Sequence, residues 1–574
     1  MIRGTSIRER TRRQTGRALY LPEVFAVIGL ALSAPEACAQ VAAFDTTYLD
    51  GTHLQIEGRR QFFFDDLMLE QIQDVTRRYY APEKVTEQPL IQSDQPWERV
   101  TYFTCNTWNV IWDPEDKLFK CWYEDWQVDR SIKPFTWINE ASGKLCVDFH
   151  GPWPSRLCYA QSTDGINWEK PGLGIVHENG HDTNIVIGGP KLGAAHCAYV
   201  LLDKAEPDRN KRFKVLFENR RAMSADETED EAQRFLVASS PDGIHWDIGG
   251  EELRFGSCGT IAGDVVTMTR DPETGIYWIN NRHPNMGDAV QDQRLPVQPS
   301  WISPVHRQKI TQENRRRVFR SQSVDLLNWS SPQPLVVPTS EFDNLDDAFY
   351  GMEQFQVGSD WVGLLNVLQM TNNTMNVQLT YSRDGRRFQR IRPGQPWLTF
   401  SGESSKRWDR YMVTICSKPI VVGDELYIYY AGASNHHDWW IVGESEGLTV
   451  PEAHDMNLVN YGLGLAKMKR DRFVSISSNK AREGLIVTPA VFPQGNRLRI
   501  NARTRPGGAV RVALADTQSV VFDGFGKAQS VAFSGDEVDH TMEWKSQDGV
   551  PKSASVKLFF YLRDADLFSF QFVP

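Results

Sequence analysis

The chain has 574 residues, 41% of them hydrophobic and 24% charged, with a formal net charge of −10. That composition is globular and long enough for two domains. The acidic balance, with no basic stripe outside the N-terminus, argues against nucleic acid as a partner.

The N-terminus reads as an export signal. Arg8, Arg10, Arg12, Arg13 and Arg17 precede a short apolar run from Val24 to Leu32, and Ala37-Cys38-Ala39 before Gln40 fits a small-x-small cleavage site. Cleavage after Ala39 predicts a periplasmic or extracellular protein of bacterial type. No other segment holds about 18 consecutive apolar residues, so no stable membrane insertion is expected. Of the eight cysteines, Cys38 would leave with the signal. Cys146 with Cys158, and Cys105 with Cys121, are positioned to bridge in an oxidising compartment. None has CxxC spacing, so no zinc site, redox motif or cofactor is expected.

Residues 40–98 predict an N-terminal strand, Arg60-Gln61-Phe62-Phe63-Phe64-Asp65-Asp66, and a linker that pack on the next domain and help close it. A serine, an Asp-Gly turn and an aromatic then recur. The copies are Ser162-Thr163-Asp164-Gly165-Ile166-Asn167-Trp168, Ser240-Pro241-Asp242-Gly243-Ile244-His245-Trp246, Ser323-Val324-Asp325-Leu326-Leu327-Asn328-Trp329 and Ser382-Arg383-Asp384-Gly385-Arg386-Arg387-Phe388. A degenerate fifth is Lys469-Arg470-Asp471-Arg472-Phe473. Asp and Gly tolerate positive φ, so each copy predicts a hairpin turn covered by its aromatic. Intervals of roughly 60 to 90 residues suit one four-stranded blade each. Strand–turn–strand units precede the copies, as in Val110 to Tyr123 and Val266 to Trp278, and they place Arg270-Asp271-Pro272 at a hairpin tip.

The pattern predicts an all-β chain, a five-bladed β-propeller over 99–478. From about 482 short alternating strands such as Arg497–Asn501, Val556–Tyr561 and Leu567–Phe572 predict a C-terminal β-sandwich over 482–574.

This organisation, with Phe64-Asp65-Asp66, Leu118 to Tyr123, Ser162 to Pro171, Gly263-Asp264, Tyr350-Gly351-Met352, Trp408-Asp409, Gly462 to Ala466 and Phe560 to Ala565, resembles the family 32 glycoside hydrolases and the related family 43 and 68 propellers. It is similar above all to exported bacterial proteins described as family 32-like. The Trp-Met-Asn-Asp-Pro-Asn-Gly nucleophile motif of family 32 is absent. The resemblance implies carbohydrate chemistry, with carboxylates from the innermost strands of different blades flanking a glycosidic bond. Acids at the start of those strands are therefore the catalytic candidates: Asp264 in the third blade, Asp409 in the fifth, and Glu353 or Asp347 (with Asp346) in the fourth. By strand alternation, a Tyr350 that faces the axis would turn Glu353 away. Asp65, Asp66 and Asp182 are further candidates.

For substrate binding, His196 starts the second inner strand and Arg282 ends a third-blade strand, where its fork suits a carboxylate or sulfate. Tyr350 and Trp408 border the candidate acids. His436, His437 and Asp438 share a loop with Trp439 and Trp440, which reads as a sugar-binding loop because no third metal ligand has fixed spacing; no metal is assigned. The expected partner is an oligo- or polysaccharide, and the expected activity is glycoside hydrolysis. The alternative is a non-catalytic glycan-binding or interaction propeller on the same fold.

Overall fold

Each serine–aspartate repeat sits where the third strand of an antiparallel sheet turns back. The protein is seen in a computed structural model that describes residues 49–50, 53–104, 107–131, 135–138, 145–148, 155–188, 194–220, 233–255, 265–283, 316–344, 346–370, 372–437, 439, 450–551 and 555–574. Residues 48–574 make one compact unit, and the fold class is all-β. No helix among the described residues is long and apolar enough to cross a membrane.

Antiparallel meanders follow one another among the described residues; the first also carries Val100–Thr101, and the two numbered four and five below form one nine-stranded sheet joined by a parallel bridge between Met375 and Met412. Sheet one is Trp108–Asp113, Leu118–Trp126, Ser155–Ser162 and Ile185–Ile187. Sheet two is His196–Leu202, Phe213–Arg220, Gln233–Ser240 and Asp247–Glu252. Sheet three is Val266–Arg270, Tyr277–His283, Arg317–Ser323 and Gln333–Val336, with Arg270-Asp271-Pro272 at its first hairpin as expected. Sheet four is Asp347–Val357, Asp360–Gln369, Thr374–Ser382 and Gln389–Arg390. Sheet five is Met412–Thr414, Glu425–Ala433, Tyr461–Lys469 and, from far upstream, Glu83–Lys84.

The first strands close on one another. Val200 N donates to Asn109 Oδ1 at 2.7 Å, joining sheets one and two. Tyr199 and Leu201 pack with Val266 and Met268 between sheets two and three. Thr267 Oγ1 donates to Met352 O at 2.7 Å between sheets three and four. Asn366 exchanges two 2.9 Å bonds with the backbone of Ile415 between sheets four and five. Asn109 Nδ2 donates to Cys416 O at 3.0 Å, returning to sheet one. A buried apolar layer fills each junction, where branched and aromatic side chains alternate out of the pleat.

The repeats make these junctions. In the first copy Asp164 Oδ1 accepts from Ile166 N and Asn167 N, both at 2.8 Å, while Ser162 Oγ accepts from Gly165 N at 2.9 Å. These backbone N–H groups hold the Asp164 carboxyl well below the usual range. Asp242, Asp325 and Asp384 make the same pair of bonds. Each turn then docks on the preceding sheet. Trp122 Nε1 donates to Gly243 O at 2.6 Å, Tyr429 OH to Gly165 O at 2.8 Å, and Arg320 to Gly385 O. The third copy has Leu326 where the others have Gly, held at φ 66°, and its side chain packs with Tyr199 and Leu216 of sheet two. At the fifth copy the chain leaves the ring, with Asp471 paired to Arg60 at 3.3 Å.

Beyond that point the long strands Arg497–Ala515 and Lys557–Val573 pair antiparallel and bend at bulges. They share one sheet with Val474–Ser478, Gly484–Val487 and the upstream strands Gln61–Phe62, Gln71–Gln73 and Val75–Tyr79. The aromatic run is divided between two cores: Phe62 and Phe64 enter the layer of sheets four and five, and Phe63 enters the C-terminal core. The strand that completes sheet five is Glu83–Lys84, rather than the aromatic segment expected to close the ring. Asp65 and Asp66 pair with Arg383 and Arg77 at a turn, so neither reaches the axis. Cys121 and Cys158 are free, buried thiols that face Ala160 and Tyr123 across the ladder; their expected partners, Cys105 and the Cys146 side chain, lie outside the described residues.

Gly243 lies at φ +80°, and a Cβ there would overlap the Trp122 ring. Gly174 lies at φ +69° with open space around it. Gly174→Ala should therefore cost only the left-handed penalty of about 1–2 kcal/mol. Gly243→Ala should cost this plus about 1–3 kcal/mol of overpacking. Denaturant unfolding of the two variants checks the order; equal losses would remove the docking role of the turn.

Candidate functional site at the mouth of the ring

In an antiparallel meander the first strand starts, and the second strand ends, at the same edge of the sheet. That edge is called the mouth here, and side chains gather along it in two groups. Tyr350, in the first strand of sheet four, is its hub. The Arg282 and Arg316 guanidiniums of sheet three lie 4.6 and 4.7 Å from the Tyr350 ring centroid, and His437, beyond sheet five, meets that ring edge-on at 4.8 Å. All four side chains are buried. Asp347 starts the same strand, also buried, and its carboxylate accepts from Asn344 N at 2.9 Å.

A second group faces the mouth from sheets one and two. Glu124 Oε1 accepts from Trp126 Nε1 at 2.5 Å and lies 2.7 Å from His196 Nδ1, while Glu124 Oε2 accepts from Cys197 N at 3.3 Å. Trp126 stacks on Tyr102 at 3.7 Å, and Tyr102 meets Tyr461 of sheet five at 5.1 Å. Beside it, Asp125 points to the opposite face and binds Arg156; burial still pushes its carboxyl up to about 6.

Deeper on the axis Glu353 accepts from Tyr199 OH at 2.6 Å and from its neighbour Gln354 N at 2.9 Å. Lys418 of sheet five approaches the same carboxyl, and its Nζ lies 3.4 Å from Met268 O of sheet three. Burial pushes the Glu353 carboxyl up to about 7, against the pull of Lys418 and Tyr199. Beyond the pair, toward the far ends of the first strands, lies a cavity of about 610 Å³ lined by Trp112, Tyr199, Lys204, Phe355 and Lys418.

The expected residues therefore divide. His196, Arg282, Tyr350, His437 and Asp347 lie at the mouth. Both Tyr350 and Glu353 turn inward, because a one-residue bulge between Phe349 and Gly351 breaks the alternation that seemed to exclude one of them. Asp264 and Asp438 lie outside the described residues. Trp439 is buried in the core cluster that contains Tyr350.

Three placements correct the sequence reading. Asp409 does not open on the axis: it is fully buried on the inner face of sheet five, bound by Lys84 and by Tyr430 OH at 3.2 Å. Trp408 stacks on Tyr430 beside it, and the bare Gly432 gives both side chains room. His436 stacks on Tyr411 at 3.9 Å with Nδ1 2.6 Å from Glu452 Oε1, ordering its own loop. The residues missed, Glu124, Cys197 and Arg316, had a signal. They lie near the end of a second strand, at the second position of a first strand, and just before a third strand, positions not marked by an acid that leads a first strand.

Two measurements check these roles. Asp409→Asn should act on stability, leaving Lys84 buried without its counter-charge at a cost of about 3–5 kcal/mol; an unchanged unfolding midpoint would contradict the pairing. For Glu353 the folded value of about 7 exceeds the ordinary 4.5, so the folded state keeps a proton that the unfolded chain loses across that window. Stability should fall as pH rises from 4.5 to 7, and Glu353→Gln should remove that part of the slope. Denaturant titrations of both proteins at the two ends of the window read the difference, and identical slopes would refute it.

No protein-family model matches the chain, and no curated protein matches it. Among solved structures it is similar to a β-1,2-mannobiose phosphorylase from Listeria innocua, at 14% identity over 67% of this chain and 96% of that one, with a TM-score of 0.40. It is also similar to a glycosyl hydrolase from Bacteroides ovatus, at 14% identity over 69% and 97% with a TM-score of 0.39. An N-acetylgalactosamine deacetylase from F. plautii follows, at 14% over 69% and 96% with a TM-score of 0.38. None of these names mentions family 32, 43 or 68. Likenesses this loose carry no weight for fold or activity, which rest on the residues above.

Proposed function

We propose that the chain is an exported glycoside hydrolase, a five-bladed β-propeller with a C-terminal β-sandwich that cleaves an oligo- or polysaccharide at the mouth of the ring. The observation that supports this reading is the convergence of buried polar side chains from different sheets: His196, Arg282, Arg316, Asp347, Tyr350 and His437. Cleavage of a glycosidic bond requires two carboxylates on opposite sides of it, one to protonate the leaving oxygen and one to attack or to activate water. Asp347 of sheet four and Asp264, which directly precedes Val265 of sheet three, are the proposed pair. Groups borne on different sheets can stand on either side of a sugar held between them.

Two guanidiniums over one aromatic ring favour an anionic group on the substrate, since each planar fork accepts a carboxylate or sulfate bidentately. Uronate-containing or sulfated glycans are therefore the favoured class.

The test is hydrolysis of a panel of acidic and neutral oligosaccharides by the secreted protein. Asp347→Asn and Asp264→Asn should each lower kcat by about 10²–10⁴-fold on whichever glycan the wild type cleaves, with melting temperature retained. Full turnover in both variants would sink the assignment. Binding of a glycan without any turnover by the wild type would favour the non-catalytic propeller instead. Secreted material should begin at Gln40, and a retained apolar N-terminus would overturn export.

A further inference from the structure

The cavity of about 610 Å³ lies at the ends of the first strands opposite the mouth, and the hydrolase reading leaves it unused. Its wall is built from the far ends of the first strands of sheets one, two and four, and from the segment that follows Met412–Thr414 of sheet five. Tyr199, whose OH is spent on Glu353 at 2.6 Å, closes it toward the mouth. Much of the wall is apolar. Trp112 and Phe355 are only partly buried in the cores they border, which leaves part of each ring to the cavity. Small-molecule sites are typically apolar clefts of about 300–1,000 Å³ with a few placed polar groups.

The placed polar groups here are two lysines, Lys204 after the first strand of sheet two and Lys418 of sheet five. Lys204 forms no hydrogen bond or ion pair among the described residues. The Lys418 ammonium has three N–H groups, and its hydrogen bond among the described residues is a single long one, 3.4 Å to Met268 O. Glu353 attracts Lys418 from behind the cavity, but its oxygens are already engaged by Tyr199 OH and Gln354 N. Burial pushes the Lys418 ammonium below its ordinary value; Glu353 opposes that shift and Lys204 adds to it. The acid on the wall, Asp471, already pairs with Arg60 at 3.3 Å. A chain of net charge −10 thus turns two cations toward one apolar space without a free counter-charge inside it. Donors withdrawn from water in this way lose free energy until an acceptor reaches them.

We propose that this cavity binds a small carboxylate with an aromatic body, the carboxylate held by Lys418 and Lys204 and the ring laid against Trp112 and Phe355. One charged end and one flat apolar end use both halves of the wall. A neutral sugar, with hydroxyls on every side, would leave the lysines without a counter-charge, and a bare inorganic anion would leave the aromatic wall uncovered. Glu353 and Tyr199 stand between this cavity and the mouth, so the ligand is a different molecule from the glycan and does not compete with it for space.

The test is isothermal titration of the full chain with hydrocinnamate. One equivalent should bind. Hydrocinnamamide, which keeps the ring and loses the charge, and acetate, which keeps the charge and loses the ring, should each bind at least about 10-fold more weakly. Lys418→Met should weaken hydrocinnamate binding by about 10–100-fold. Lys204→Glu, a change on an exposed side chain, should weaken it by about 10-fold. If Lys418→Met fails to fold by circular dichroism, Lys204→Glu decides alone. Absence of saturable binding, or equal affinity for the amide or for acetate, would overturn the site. So would full affinity in both lysine variants, which would move the anion to Arg282 and Arg316 at the mouth. The readout is binding at a place apart from the mouth, so this site and the hydrolase reading stand or fall separately.

Discussion

The capture of each serine–aspartate turn by the sheet before it is the interaction on which the ring depends. The turn is rigid on its own, because one carboxylate oxygen takes two backbone N–H groups. Rigidity leaves the peptide carbonyl at the Gly position presented outward in a fixed direction, and Trp122, Tyr429 and Arg320 each donate to one of these carbonyls. A donor buried against an apolar layer must find an acceptor or lose its solvation, so the angle between neighbouring sheets is tied to a single local motif. Three of the repeats are captured this way, and the third docks through the Leu326 side chain instead.

The repeats were legible because their physics is local: a side chain bonding its own backbone within a few residues reads directly from Ser-x-Asp-Gly. Closure was not. Glu83–Lys84 is a two-residue strand whose partners Ala466 and Lys467 lie hundreds of residues away, and nothing in its composition marks it. The mouth was half legible. Asp347 and His196 open first strands and Tyr350 follows within one, so strand starts mark them. Glu124 lies near the end of a second strand, and Cys197 sits at a register slip. Period-two reasoning also failed at Tyr350 for the same cause: one extra residue reverses the phase of all that follows.

Acidic residues near strand ends look alike in sequence, and the structure shows what they hold together. Asp409 has Lys84, Asp113 has Lys120 and Arg212, and Asp125 has Arg156, all in the walls between or within sheets. These carboxylates hold elements that are distant in the chain. Asp347 also accepts from Asn344 N within its own turn. Identifying a wall acid therefore requires knowing which cation arrives from elsewhere, and that information belongs to the closed ring rather than to any segment of it.

The position of Glu83–Lys84 sets the order in which the molecule can assemble. Its partner strand, Tyr461–Lys469, is among the last of the ring to leave the ribosome. Until then the upstream segment has no edge to join, and the nascent ring is an open arc whose terminal strands present unpaired N–H and C=O groups. Contacts of such sequence separation make formation slow, because loop closure precedes any reward from pairing. The neighbouring upstream strands Gln61–Phe62 and Val75–Tyr79 likewise wait for residues of the C-terminal sheet. The protein thus completes its ring and its C-terminal sheet in one late event, and the residues that finish both are among the earliest described residues to be synthesised.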